Sequence, residues 1–169
     1  MDCVKCIAKL NEMLKGQLPV GFRFSLPTEA QWEYSCRAGT TTAFHYGNDL
    51  DSAMANFDGN YPTGNGEIGV CRNKTTLVKS FKANAWGLYD MHGNVWEWCE
   101  DQYGDSLTGG TDPIGPALGV RRVYRGGCWR YGAVNCRSAI RFKNHHDYRH
   151  NDLGFRPVLT YAESTSIPR

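Results

Sequence analysis

"GLYDMHGNVWEWCED", residues 87–101, carries the sharpest change of pattern in this chain of 169 residues. His92-Gly93-Asn94 has the composition of a turn, because Gly and Asn tolerate the backbone angles a tight reversal demands. Directly after it, "VWEWC" (95–99) alternates in the way a strand does when one face meets a core. Three more short runs follow, "RRVYRGGCW" (121–129), "CRSAIRF" (136–142) and "LGFRPVL" (153–159), and each predicts a strand between loops. Upstream, "FRFSL" (22–26) is a further short strand. Residues 2–15 predict a helix: Val4, Ile7, Ala8, Leu10, Met13 and Leu14 fall near helical spacing, and Gly16 ends the run. "PTEAQWEYSCRAG" (27–39) predicts a second helix, started by Pro27 and Thr28, with Glu29 and Glu33 in its first turns and Gly39 after it. Residues 40–84 are rich in turns ("GND", "DGN", "PTGNG"). Helix, helix, irregular middle and then strands make an α+β chain with helices segregated from the sheet.

Composition narrows the function classes. Hydrophobic residues are 41%, ordinary for a globular protein, while five Trp, nine Tyr and seven Phe are many for this length. No apolar run approaches the roughly 20 residues of a membrane-spanning helix. The N-terminal fifteen residues hold no signal-peptide core, so a cell-surface location requires an export signal or partner outside this stretch. The net charge of +2 hides an asymmetry. Residues 121–156 hold nine Lys/Arg and two Asp/Glu, the remainder ten and fifteen. Such a basic segment either meets an anionic partner or pairs with the acids of its own chain; no nucleic-acid-binding motif accompanies it, and internal pairing is the simpler expectation. Seven cysteines, an odd number without dense spacing, read as packed free thiols. "CVKC" (3–6) has no second pair for zinc and no preceding strand. "GNGEIG" (64–69) matches a dinucleotide fingerprint only formally, since it lies in a loop and opens no helix.

"LPTEAQWEYSCRAGT", "GLYDMHGNVWEWCED", "RGGCW", "CRSAIR" and "LGFRPVL", in this order over roughly residues 19–160, resemble the formylglycine-generating enzyme (sulfatase-modifying factor) family. The resemblance implies a C-type-lectin-like fold: one loop-rich domain over residues 1–169, with two helices and a short twisted antiparallel sheet. Members usually carry a β-rich stretch before the first helix, and it is missing from this sequence. The family has catalytic and non-catalytic branches, so the site must decide function. Catalysis in the family implies two reactive cysteines and a copper ion just after the "GGS-aromatic" strand, and soft thiolates select copper(I). The positions for that pair fall near Arg130–Val134, which hold no cysteine; Cys128 stands at the usual Ser, and Cys136 opens a string found in members without the pair. A related branch uses three-histidine iron sites, with its motif in a separate helical domain. His146 and His150 have an H-x3-H spacing, but "NHHDYRHND" (144–152) carries no helical apolar stripe and predicts a loop.

Between and after the fixed-looking strings stand Arg130, Tyr131, Gly132, Val134, Ile140, Phe142, His145, His146, Tyr148 and His150. Each residue type can arise from an asparagine codon by changing only its adenines; Trp129 and Lys143 are the exceptions in the segment. The pattern resembles the variable protein of a diversity-generating retroelement, in which segment 128–152 forms a rewritten binding surface. Tyr, Phe, His and Arg suit such a surface, supplying contact area at low rotamer cost and forked donors. The implied partner is a protein or cell-surface ligand, with no nucleic acid. The alternatives are a formylglycine-generating or related sulfatase-modifying oxidoreductase and an undiversified accessory binding domain. Trp86, Trp96, Trp98 and Trp129 are expected beneath the site. Arg125, Arg137, Arg141 and Arg156 are expected to clamp the strands, with Glu33 and Glu97 as partners. No cofactor is required; the resemblance implies a structural calcium near Asn56, Asn94 and Glu97, and calcium takes six to eight oxygens.

Overall fold

The computed structural model describes residues 2–107 and 109–161. Helix α1 spans Asp2–Met13 and buries Cys3 and Ile7, one turn apart on one face. Strand β1 is Phe22–Ser25, and helix α2 is Glu29–Arg37. Thr28 caps α2 through a reciprocal pair: the Gln31 amide N–H donates to Thr28 Oγ1 at 3.1 Å, and the Thr28 N–H donates to Gln31 Oε1 at 3.0 Å. Ala38 turns into the left-handed region at φ 45° and closes the helix. Pro27, Thr28, Ala38 and Gly39 therefore flank the helix rather than extend it, and α1 also ends two residues short of position 15.

The remaining strands are β2 (Trp96–Gln102), β3 (Arg121–Arg125), β4 (Phe142–His145), β5 (Leu153–Gly154) and β6 (Val158–Tyr161). Four of them form a sheet in the order β4-β3-β2-β5, antiparallel except for the short parallel pair β2–β5. β6 pairs antiparallel with β1 in a separate two-stranded ribbon. The result is α+β and C-type-lectin-like, with much of residues 40–95 in turns and bends.

The alternation in "VWEWC" survives with a different meaning. Trp96, Glu97, Trp98 and Cys99 are all buried, because β2 is a central strand with both faces covered. Trp96 and Trp98 join Cys3, Ile7, Leu26, Tyr124 and Cys128 on the α1 side. Cys99 joins Trp32, Cys36, Met91 and Val123 on the α2 side. The period of two sorts side chains between two interiors rather than between core and water.

Three predicted strands are shorter or absent. β3 stops at Arg125 because Gly126 and Gly127 follow at φ 98° and 79°, outside the strand region. "CRSAIRF" is not a strand. Ala133–Cys136 is a turn of 3₁₀ helix, and β4 begins only at Phe142. The backbone hydrogen bonds between them go elsewhere: the Ser138 N–H donates to the Ala43 carbonyl and that of Ile140 to the Arg137 carbonyl. "LGFRPVL" is split between β5 and β6 and so ties the two sheets together.

The basic segment pairs mostly within the chain. Arg125, fully buried, reaches Glu29 at 3.3 Å and also bonds Glu33 and the Ile140 carbonyl. Arg141 forms a bidentate pair with Glu29 at 2.5 and 2.8 Å. Arg156 does the same with Glu97, at 2.8 Å to each oxygen, and also donates to the Tyr89 carbonyl. Arg149 meets Asp2 at the surface. Glu33 and Glu97 serve as expected, and the fully buried Glu29 is an additional, central partner. Arg137 differs from the expected clamp: it is half-buried and donates to Val134 O within its own loop.

Candidate functional site

The "RGG-W" string becomes a buried floor. Arg125, Gly126, Gly127, Cys128 and Trp129 are all buried. Glycine is required at 126 and 127 for space as well as angle. A Cβ on Gly127 would lie 2.5 Å from Cys136 Sγ, and one on Gly126 would lie 3.0 Å from the Trp32 ring. Ala133, Cys136 and Ser138 are buried too. His92, only 2% exposed, fastens this turn from below: its Nδ1 donates to the Cys136 carbonyl at 2.7 Å, while Nε2 accepts from the His45 amide at 3.1 Å.

Of the ten candidate positions, Arg130, Tyr131, Val134, Phe142, His145, His146 and Tyr148 are exposed, and Gly132, Ile140 and His150 are intermediate. None is buried, although they alternate along the chain with buried frame residues. Val134 stands on the 3₁₀ turn, Phe142 and His145 on β4, and His146 and Tyr148 in the turn after it. Tyr131, Phe142 and Tyr148 converge on a cleft of about 40 Å³ floored by Trp96, Tyr124 and Asp152. Ring centroids of Trp96 lie 5.1 Å from Phe142 and 6.5 Å from Tyr131. A larger cleft of about 310 Å³ is lined by Asp2 and Cys3 of α1 and by His146, Tyr148 and His150. Trp96, Trp98 and Trp129 do lie beneath the face; Trp86 does not. It is 47% exposed and packs edge-on against Tyr34 of α2.

Asp152 was not singled out from the sequence and is a key residue of the site. It is 5% exposed. Its Oδ1 accepts from His150 Nδ1 at 2.5 Å, its Oδ2 accepts from the Cys128 thiol at 3.5 Å, and Arg130 Nε stands 3.7 Å away. The signal was present: Asp147 and Asp152 are the only acids among residues 121–156, which hold nine cations.

Neither cysteine at the site is poised for thiolate chemistry. Burial, reinforced by the adjacent Asp152 carboxylate, pushes the Cys128 thiol up to about 12. Burial drives Cys136 up as well, with Cys128 adding to the effect. Both remain thiols at neutral pH in the metal-free chain, and neither stands at Arg130–Val134, where the family's reactive pair is expected. The histidines do not converge either. His145 Nδ1 bonds Asp147 at 2.6 Å, His146 stacks on His145, and His150 bonds Asp152. Among the described residues no group of three or more His, Cys, Asp or Glu side chains is arranged to hold a metal.

The oxygens expected to hold calcium are committed elsewhere. Asn94 Oδ1 accepts from the Thr76 amide at 2.9 Å and from Asn56 Nδ2 at 3.1 Å. Glu97 accepts from Trp32 Nε1 at 2.7 Å and is saturated by Arg156. Asn56 keeps one open atom, its buried Oδ1. Asn56 and Asn94 are in direct contact, and Asn94 and Glu97 line one cleft. That cleft, of about 420 Å³, is lined by Asp90, Asn94 and Glu97, together with the cations Lys79 and Arg156. There Asp90 Oδ1 is buried without a partner, while Oδ2 accepts from the Lys79 amide at 2.8 Å.

A sulfatase-modifying factor enzyme 1-like domain model matches residues 3–161. The chain belongs to this family. Relatives at the sequence level include "Serine/threonine-protein kinase pkn1" of Chlamydia caviae, 42% identical over 78% of this chain and 20% of that protein. The formylglycine-generating enzymes of Mus musculus and Streptomyces coelicolor are each 39% identical over 78% of this chain, and 38% and 45% of theirs. The chain therefore spans from a fifth to under half of these relatives. Among solved structures, Treponema denticola variable protein 1 superposes with a TM-score of 0.69 at 36% identity, over 82% of this chain and 48% of that one. PvdO from Pseudomonas aeruginosa gives 0.70 at 28% identity, over 89% and 57%. This sulfatase-modifying-factor-type domain thus has sequence relatives named as enzymes and a structural relative named as a variable protein.

Proposed function

We propose that this domain is a ligand-binding variable protein of the kind encoded by diversity-generating retroelements, with the face built from segment 128–152 as its contact surface. The observation that carries this reading is the sorting of that segment. The ten candidate positions are exposed or half-exposed, while Cys128, Trp129, Ala133, Cys136 and Ser138 of the same segment are buried. A scaffold that must tolerate rewriting needs that separation, because surface substitutions away from special features cost little whereas core changes cost several kcal/mol. The likeness to a solved variable protein supports it. The lack of cysteine at Arg130–Val134, where the family's reactive pair is expected, favours binding over its oxidative chemistry.

The decisive test lies in the neighbouring DNA. A near-copy of the segment ending in "GFRPVL", differing only at adenines and accompanied by a reverse transcriptase, is the expected result. Its absence leaves an undiversified binding domain. At the protein level, serine at Tyr131, Phe142 and Tyr148 together should abolish partner binding and leave the chain folded. Calcium, the metal the family resemblance implies, would be held in the cleft that Asp90 lines together with Asn94 and Glu97. The unpartnered Asp90 oxygen supports that assignment.

A further inference from the structure

The cleft beneath Tyr131, Phe142 and Tyr148 has a definite chemistry. At about 40 Å³ it admits one small group rather than a sugar ring or a side chain of aromatic size. Its aromatic walls are not coplanar: Trp96 meets Tyr124 at 66°, Tyr131 at 59° and Phe142 at 46°, so differently oriented rings surround the space. Ring faces carry the negative end of the aromatic quadrupole and attract cations. The cleft also contains Asp152, whose carboxylate is buried. Two of that carboxylate's partners, His150 and Cys128, are hydrogen-bond donors. Among the described residues, the permanent cation paired with it is Arg130, 3.7 Å away and 43% exposed. Arg130 is itself a precedent: its guanidinium lies 5.0 Å over the Trp129 ring while facing Asp152, so this chain already holds a cation between an aromatic ring and this carboxylate. Other cations near the face are matched: Arg149 by Asp2, and Lys143 by Asp105 and the Tyr103 ring.

We propose that this cleft receives a lysine ammonium presented by a protein partner, with Asp152 as its counter-ion and Tyr131, Phe142 and Tyr148 as its walls. The assignment rests on the binding-surface reading and adds the chemistry of the ligand. It also gives Arg130 a role that packing alone does not: an internal competitor for the carboxylate, displaced when the ligand cation enters.

The test uses the full chain, with the Trp96 indole N–H resonance followed during titration with n-butylammonium and with 1-butanol, its uncharged counterpart. Saturable binding of the ammonium, at least tenfold tighter than the alcohol, is expected. Asp152→Asn should weaken it about tenfold, and Arg130→Ala should tighten it severalfold by removing the competing charge. Tyr148→Leu keeps an apolar wall but removes the π face, and should weaken the ammonium selectively if Asp152→Asn does not fold. Equal binding of alcohol and ammonium, binding of neither, or weakening by Arg130→Ala overturns the assignment. A displayed peptide library separates the two levels of inference. Enriched peptides without lysine that are lost on Tyr131→Ser or Tyr148→Ser refute the ligand class and leave the surface standing. Enrichment indifferent to those residues removes the surface as well.

Discussion

His92 should make the candidate face acid-labile, and the size of the effect follows from its setting. The imidazole is 2% exposed, and both ring nitrogens are used, Nδ1 as donor to Cys136 O and Nε2 as acceptor from the His45 amide. Protonating Nε2 would set a donor against a donor in a buried place. Burial is the main cause that pushes this histidine from 6.5 down to about 3; the Cys136 hydrogen bond opposes the shift, and His45 adds to it. In the unfolded chain the ring takes up a proton near 6.5, while in the folded chain it stays neutral to about 3. Between those values the unfolded state holds more protons, so stability is fully present above 6.5 and is lost as pH falls. Each pH unit is worth about 1.4 kcal/mol for one such group, so lowering the pH by about two units below 6.5 should cost about 3 kcal/mol through His92. Urea unfolding followed by tryptophan fluorescence at pH 7 and pH 4.5, on the native chain and on His92→Gln, isolates this contribution as a difference in pH slope. Glutamine keeps a polar side chain there and cannot titrate. His45, lowered to about 4 chiefly by burial, contributes to the slope of both proteins and cancels in the comparison. Equal slopes would refute the claim that a neutral, doubly bonded His92 holds the Cys136 turn.

Three further outcomes follow from the frame and its neighbouring cleft. Glu29→Gln leaves buried Arg125 and Arg141 short of a shared negative charge, with Glu33 still bonded to Arg125; a loss of about 2–4 kcal/mol in urea unfolding is expected, and a loss below about 1 kcal/mol would show the pairs to be dispensable. Gly127→Ala imposes a Cβ 2.5 Å from Cys136 Sγ at φ 79° and should destabilise by roughly 2 kcal/mol or more, whereas Val134→Ala on the exposed face should stay within about 0.5 kcal/mol by the same assay. Millimolar calcium should raise the melting temperature of the native chain and not that of Asp90→Asn; an equal rise in both, or in neither, would exclude Asp90 as a ligand.

Much of the frame was legible because it depends on local signals. The start of α2 at Pro27 and Thr28 and the apolar spacing of α1 act over a few residues and leave their mark in composition. The exposed face was legible for a different reason, since its residue alphabet is restricted while the strings around it are family-like. Strand lengths were less so. "CRSAIRF" has the composition of a strand, yet its backbone partners are Ala43 and its own turn, and nothing local announces Ala43. Trp86 and Arg137 looked like core and clamp by residue type alone, but a side chain's neighbours come from distant parts of the chain.

The sequence by itself determined the class of fold, the family and the segment most suited to contact. These rest on caps, glycines, short apolar periods and an ordered set of strings, all of which act through the chain. Only the tertiary structure decided which carboxylate answers which arginine, that Asp90 joins Asn94 and Glu97 in one cleft, and that Asp152 lies beneath three aromatic residues of the face. Burial and pairing depend on what the fold brings from tens of residues away: Glu29 meets Arg141 across 112 positions and Trp32 meets Glu97 across 65. Charge and hydrogen bonding act over a few ångströms in space, whatever the distance along the chain.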